Sequence, residues 1–292
     1  MRAAIASIRK ELADTYAKTE IDSLIFLIFE KLKGYSRTQF LMAADEVLDE
    51  NERLELQQIM NRLKNQEPIQ YILGVTEFYG LPFYAVHGVL IPRPETEELV
   101  QWIIQENKLP NPTILDIGTG TGCIPVSLRK NIADSRIMAC DISPVCIETA
   151  RRNAELNGCD ISIIEYDILN DLPETNFPEL DIMVSNPPYV RESERQQMEE
   201  NVLSYEPELA LFVPDDDPLL FYRRIANFAR RHLKNGGSLY FEINEAFGAE
   251  CVEMLRENGF TEISLRKDIH GKDRMVRSVY FRSEQEARNA IQ

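Results

Sequence analysis

Two short segments carry the residue types that chemistry needs. The first, Asp116-Ile117-Gly118-Thr119-Gly120-Thr121-Gly122, ends a β-rich run and opens a helical stretch, the place where an open α/β sheet binds its ligand. Gly118, Gly120 and Gly122 let backbone amides approach that ligand closely. A dinucleotide fingerprint needs Gly or Ala at position 123, where the chain has Cys123. The carboxylate of Asp116, two residues before the first glycine, has no role beside a phosphate and argues for a cation. S-adenosylmethionine carries an ammonium and a sulfonium group and no phosphate, so it suits this loop better than NAD. Asp141 closes the next strand, where a carboxylate accepts hydrogen bonds from both ribose hydroxyls; capping of the helix over 144–157 by Asp141 or Ser143 is compatible with that role. After the third strand, Asp167 is placed to take an adenine amino group and Ile168 to cover a ring face. No metal is required.

The second segment is Asn186-Pro187-Pro188-Tyr189, which follows the apolar run Asp181 to Ser185. Two prolines fix the backbone, remove two donors and hold Asn186 extended. The Asn186 side-chain oxygen and the Pro187 carbonyl form a rigid pair of acceptors. A planar amino group is a poor nucleophile because its lone pair is delocalised. Two acceptors that hold its N–H bonds stabilise the positive charge developing on nitrogen, and Tyr189 offers a flat face for stacking.

The elements that must position these segments are legible in the spacing of apolar residues. From Glu95 onward β-rich runs alternate with helical ones: helix 96–108, strand 113–116, helix 122–131, strand 136–140, helix 144–157, and strands 162–164 and 180–184. That order predicts parallel βαβ units in a doubly wound α/β sheet. An irregular stretch over 186–218 precedes helix 219–233, an Asn235-Gly236-Gly237 turn, strand 238–243, helix 247–257, and two runs, 261–266 and 275–282, that form an antiparallel edge hairpin. Asp215-Asp216-Asp217 reads as a solvated loop. Residues 1–73 read as helices throughout, with apolar positions at three- and four-residue steps through Ile5, Ile8 and Leu12 and through Leu54, Ile59 and Leu63. Glycines and prolines over 74–94 mark a hairpin or extended connector, and 95–292 forms the second domain.

Lys+Arg 32 against Asp+Glu 48 gives a net charge of -16, which repels a phosphate backbone and disfavours duplex nucleic acid as a partner. Residues 1–70 are close to neutral, which makes the helical domain the candidate surface for gripping a large protein substrate. The five cysteines include no CxxC pair and suit a reduced cytoplasm. No apolar run approaches the roughly 20 residues of a membrane helix, and no targeting segment is evident at the N-terminus.

Taken with Gln70-Tyr71-Ile72-Leu73-Gly74, Ile91-Pro92-Arg93-Pro94-Glu95-Thr96-Glu97 and Tyr205-Glu206-Pro207-Glu208-Leu209-Ala210-Leu211, the two segments make the chain resemble the HemK/PrmC family nearly end to end. These are class I, S-adenosylmethionine-dependent protein-(glutamine-N5) methyltransferases acting on the Gly-Gly-Gln loop of peptide chain release factors. The resemblance implies a Rossmann-like methyltransferase domain behind a small all-α substrate-recognition domain. It implies cofactor contacts from Asp116, Gly118, Thr119, Gly120, Thr121, Gly122, Asp141, Asp167, Ile168 and Asn186. Asn186, Pro187, Pro188 and Tyr189 would hold the substrate glutamine, with Asn186, Pro187 and Tyr189 catalytic. The chain departs from the family pattern at Ile168, where some relatives carry an aromatic residue, at Pro125 in a helix usually rich in Ala, and at Asn244 where Gly is common. Arg93 and Glu95 fall near the rim, and Thr96 reads equally well as a helix cap. An adenine-N6 DNA methyltransferase, a ribosomal-protein glutamine methyltransferase and a non-catalytic adaptor remain as alternative readings.

Overall fold

Five helices account for the first 73 residues of the computed structural model, which describes residues 1–43, 46–170 and 177–282. They are α1 (Arg2–Leu12), α2 (Lys18–Lys33), α3 (Arg37–Met42), α4 (Glu50–Lys64) and α5 (Ile69–Leu73). Their starts and stops are local chemistry. Ser36 with Gln39, and Asp49 with Glu52, form capping boxes at α3 and α4. Gly34, left-handed at φ 68°, ends α2. The inward faces bury Ile8, Leu12, Ile25, Ile28, Phe29, Ile59 and Leu63 in one core. The same compact unit includes residues 85–87 and 199–205, two segments that nothing in the sequence marks. Within it Glu67 gathers Arg62, whose Nε lies 2.7 Å from Oε2, and the His87 ring nitrogen, 2.9 Å from Oε1.

The second unit begins with a hairpin of β1 (Val75–Phe78) and β2 (Leu81–Tyr84), turned through Tyr79 and Gly80, both at positive φ. Then come α6 (Pro94–Glu106), β3 (Thr113–Ile117), α7 (Cys123–Asn131), β4 (Arg136–Asp141), α8 (Pro144–Leu156), β5 (Ser162–Glu165) and β6 (Leu180–Ser185). A short pair, β7 (Val190–Arg191) and β8 (Phe212–Val213), stands in sequence on either side of α9 (Glu200–Tyr205), which belongs to the first unit, and α10 (Leu220–His232), β9 (Leu233–Glu242), α11 (Gly248–Glu257), β10 (Phe260–Lys267) and β11 (Asp273–Tyr280) complete the described chain. Seven strands form one sheet in the order β10-β11-β9-β6-β3-β4-β5. Pairs from β9 to β5 are parallel, and β11 joins β9 and β10 antiparallel. This is the doubly wound α/β sheet with an antiparallel edge hairpin that the alternation of elements predicts.

Consecutive residues of each central strand face opposite layers. Leu115, Met183 and Phe241 pack with Tyr222, Ile225 and Phe228 of α10 and Leu255 of α11. Ile114, Ile182 and Tyr240 pack with Leu99 and Trp102 of α6, Leu128 of α7 and Ala150 of α8. Both faces are covered, so the carboxyl ends of β3, β4 and β6 are where a ligand can reach the sheet. Two backbone amides pin the hairpin to this unit: Tyr79 donates to Glu97 at 2.7 Å and Tyr84 to the Asn153 side chain at 2.7 Å.

One local expectation requires correction. Asn235-Gly236-Gly237 is not a turn but part of β9, at a register shift in the pairing with β6. A Cβ at Gly237 would lie 3.0 Å from the Lys234 carbonyl and 3.2 Å from that of Asp181, so the glycine marks a close approach of two strands. The aspartates of 215–217 do lie in a solvent-facing loop, and two of them also hold it: Asp215 accepts from the amide and hydroxyl of Ser193, and Asp217 pairs with Arg223.

Candidate functional site

The glycine loop leaves β3 beneath the end of β4. The amides of Gly118 and Thr119 both donate to the Cys140 carbonyl, at 2.9 and 3.0 Å, and that of Gly120 donates to Asp141 Oδ2 at 2.9 Å. These N–H groups hold the loop on its neighbouring strand instead of forming an anion nest, so the sequence argument that they approach a ligand gives way to a conformational one. Gly118, Gly120 and Gly122 stand at φ 75°, 54° and 78°, where side chains are strained. Gly122 has a second duty, since a Cβ there would sit 3.0 Å from that of Ala150. Gly122→Ala is therefore expected to destabilise by about 2–4 kcal/mol, from left-handed strain plus overpacking. Gly118→Ala, with open space around it, costs only the strain, about 1–2 kcal/mol. Urea denaturation of the two variants measures the difference.

Asp116 lies under this loop, fully buried, and neither carboxylate oxygen has a hydrogen-bond partner among the described residues. Burial pushes its carboxyl up to about 7, and the charge of Asp141 adds to the shift. Burial also raises Asp141, against the opposing effect of two backbone amides: besides Gly120, Ser143 N donates to Oδ1 at 2.9 Å. The cap of α8 is the Ser143 side chain, while Asp141 ties the turn before the helix to the glycine loop.

One cavity of 210 Å³ opens over these carboxyl ends. Of the residues singled out in the sequence, Gly118, Thr119, Gly120, Thr121, Asp141, Asp167, Ile168, Asn186, Pro187 and Pro188 line it. Asp116, Gly122 and Tyr189 do not: Asp116 lies beneath the loop, Gly122 ends the loop against Ala150, and the Tyr189 hydroxyl turns to Glu242, donating to Oε1 at 3.1 Å. Asp167 uses its oxygens on the short helical turn Ile168–Asn170, accepting from Leu169 N at 2.9 Å and from the Asn170 side chain at 2.6 Å. Ile142, Ile168, Leu169 and Phe221 give the cavity an apolar wall.

The structure gives Thr96, Glu206 and Glu242 parts that sequence reasoning missed, and puts Arg93, read from the sequence as a rim residue, in the lining. Thr96 is not the cap of α6, which begins after Arg93. It lines the cavity, accepts from Asn186 Nδ2 at 3.1 Å and donates to Glu242 Oε2 at 2.6 Å. Arg93 also lines the cavity and pairs with Glu206 at 2.6 Å, and the second Glu206 oxygen accepts from Ile91 N at 3.3 Å. That carboxylate, 1% exposed, ties the 91–93 strap to the wall made by Pro207, Leu209 and Ala210. Glu95 is not among the lining residues. No three His, Cys, Asp or Glu side chains converge as a metal site among the described residues, and no described helix is long and apolar enough to cross a membrane.

Comparison with known proteins places this arrangement. Residues 3–74 match the PrmC N-terminal domain family and residues 96–205 the methyltransferase small domain family. A release factor glutamine methyltransferase of Flavobacterium psychrophilum is 50% identical over 275 residues, 93% of this chain and 95% of the relative. Its namesake from Bacteroides thetaiotaomicron is 46% identical over 93% of this chain and 97% of the relative. Among solved structures, a methyltransferase from Pyrococcus furiosus shares the fold with a TM-score of 0.52 at 14% identity, covering 80% of this chain and all of its own. With half its residues shared with such a relative along nearly the whole length of both, the chain belongs to the release factor glutamine methyltransferase family.

Proposed function

We propose that the protein transfers the methyl group of S-adenosylmethionine to the side-chain amide nitrogen, N5, of the glutamine in the Gly-Gly-Gln motif of peptide chain release factors. The observation that carries the reading is the convergence of the glycine loop, Asp141 and Asn186-Pro187-Pro188 on one cavity, in a chain whose relatives bear that enzyme's name. The residues present fit the cofactor. Buried Asp116 and Asp141 make the base of the site negative, the loop amides are spent internally as suits a ligand without phosphate, and Ile142 and Ile168 give an apolar surface for a flat base.

When bound, the cofactor supplies an electrophilic methyl on sulfonium sulfur, which becomes a neutral thioether as the glutamine nitrogen takes the methyl and yields one proton to water. The chain's own part is alignment and charge stabilisation. Asn186 Oδ1 and the Pro187 carbonyl accept the two N–H bonds of the glutamine amide and stabilise the positive charge that grows on nitrogen. The prolines keep those acceptors rigid, so little reorganisation is needed as the reaction proceeds. The helical unit is assigned the remote contacts that hold a large protein substrate.

Asp141→Ala is expected to weaken binding of S-adenosylmethionine by about 1–3 kcal/mol through loss of charged hydrogen bonds, part of it from the loosened amide of Gly120. Calorimetry showing unchanged affinity would remove Asp141 from the site. The function itself is tested by incubating release factor with the protein and cofactor and reading the peptide that contains Gly-Gly-Gln by mass spectrometry. A one-methyl mass gain on that glutamine is expected. Methylation of adenine in duplex DNA instead, or of neither, overturns the reading.

A further inference from the structure

Glu242 is 1% exposed at the carboxyl end of β9, and the chemistry proposed for the cavity gives it no task. Holding a carboxylate there costs solvation that an apolar residue of similar size would not incur. Its two oxygens are used in a specific way. Oε2 accepts from the Thr96 hydroxyl at 2.6 Å, and Oε1 accepts from the Tyr189 hydroxyl at 3.1 Å. Thr96 in turn is the partner of Asn186, 3.1 Å from its Nδ2.

A hydroxyl has one proton to give. With Glu242 ionised, and therefore acceptor-only, the short contact takes the Thr96 proton and leaves Thr96 Oγ1 as an acceptor toward Asn186. Only the Nδ2 end of the Asn186 amide can then face Thr96, because the opposite orientation would set two lone-pair oxygens against each other. We propose that Glu242 is a positioning residue that, through the Thr96 hydroxyl, fixes the Asn186 amide with Oδ1 toward the substrate nitrogen. This deepens the function proposed above and rests on it. The same carboxylate holds Tyr189, whose backbone carbonyl accepts from the Asn244 side chain at 3.0 Å, so both ends of the Asn186 to Tyr189 segment are held by residues at the end of β9.

The test compares Thr96→Val, Thr96→Ser and Glu242→Gln in the full-length protein, with kcat, the KM for release factor and the dissociation constant for S-adenosylmethionine measured for each. Wild-type methylation of the Gly-Gly-Gln glutamine is established first, and its absence would count against the function and not against the relay. Loss of an orienting partner commonly costs about ten- to a hundredfold, and that fall is expected in kcat for Thr96→Val, which keeps the shape and removes the proton. Glu242→Gln keeps one acceptor oxygen, which can stay on the Thr96 hydroxyl while the amide N–H turns to Tyr189, so a smaller fall is expected there. In both, KM and cofactor affinity stay close to wild type, whereas Thr96→Ser, which keeps the hydroxyl, recovers most of kcat. Wild-type kcat in Thr96→Val, or equal loss in Thr96→Ser, overturns the proposal. Should Thr96→Val fail to bind cofactor stoichiometrically, Thr96→Ala, which removes the same hydroxyl with less bulk, decides, and wild-type kcat there is equally fatal.

Discussion

Asn186→Ala is expected to lower kcat for release factor methylation by about 10²–10³-fold, the loss seen when one preorganised group facing a developing charge is removed, and to leave most of the affinity for S-adenosylmethionine. The asymmetry follows from where the interaction is felt. In the ground state the glutamine amide is neutral and its lone pair is spread into the carbonyl, so one acceptor is worth little more than a hydrogen bond to water. As the N–C bond forms, that delocalisation is lost and the nitrogen becomes positive, and the same acceptor then faces a charge. Interactions stronger in the transition state than in the ground state raise kcat and leave KM nearly unchanged. The other contacts proposed for the cofactor, from the glycine loop, Asp141 and the Asp167-Ile168 turn, which line the same cavity, would be untouched. Single-turnover kinetics beside calorimetry measure both quantities, and a parallel fall of rate and cofactor affinity would make Asn186 chiefly a cofactor ligand.

What the sequence discloses of this site divides by distance along the chain. The glycine loop and the Asn186 to Tyr189 segment are contiguous, and each sits directly after a strand whose apolar run is self-evident. Their positions at the carboxyl edge follow from strand order alone. Thr96 and Glu242 are joined to the same apparatus across 90 residues from Asn186 and 146 residues from each other. Nothing in a local pattern distinguishes Thr96 at the start of a helix from a cap, or Glu242 at the end of a strand from a solvated edge residue. Both acquire meaning only when β9 is laid beside β6, and α6 beside both. The Asn235-Gly236-Gly237 stretch shows the converse case: the left-handed Gly236 the turn signal announces is present at φ 83°, but it sits at an irregularity inside β9, because pairing with β6 holds Leu233 before it and Ser238 after it, and β11 joins from Gly237. Residues 85–87 and 199–205 join the helical unit through contacts of the same long-range kind, which no periodicity could announce.

Asp116→Asn is expected to stabilise the cofactor-free protein near pH 8 and to weaken its hold on S-adenosylmethionine, two effects of opposite sign from one charge. In an unfolded chain the Asp116 carboxyl titrates near its ordinary value of 3.8, and in the folded protein burial pushes it up to about 7. The folded state therefore binds the proton more tightly. The resulting stability is fully present below about pH 4, is lost progressively as pH rises to about 7, and changes no further above that. A shift of about three units corresponds to at most about 4 kcal/mol at 1.36 kcal/mol per unit. Asparagine carries no charge at any of these pH values, so the variant's advantage in urea denaturation should be greatest near pH 8 and vanish near pH 4. Cofactor affinity behaves in the reverse sense. A cation in the cavity is attracted by an ionised Asp116 and lowers its pKa, so binding releases a proton and the wild-type dissociation constant rises about tenfold for each unit of pH below about 7. Above about pH 8 the ligand's own α-amino group begins to lose its charge, which leaves an optimum between the two. The asparagine variant should lose the acid limb of that profile and bind more weakly at the optimum. An acid limb that survives the substitution would show that Asp116 is a buried structural carboxyl with no part in holding the cofactor.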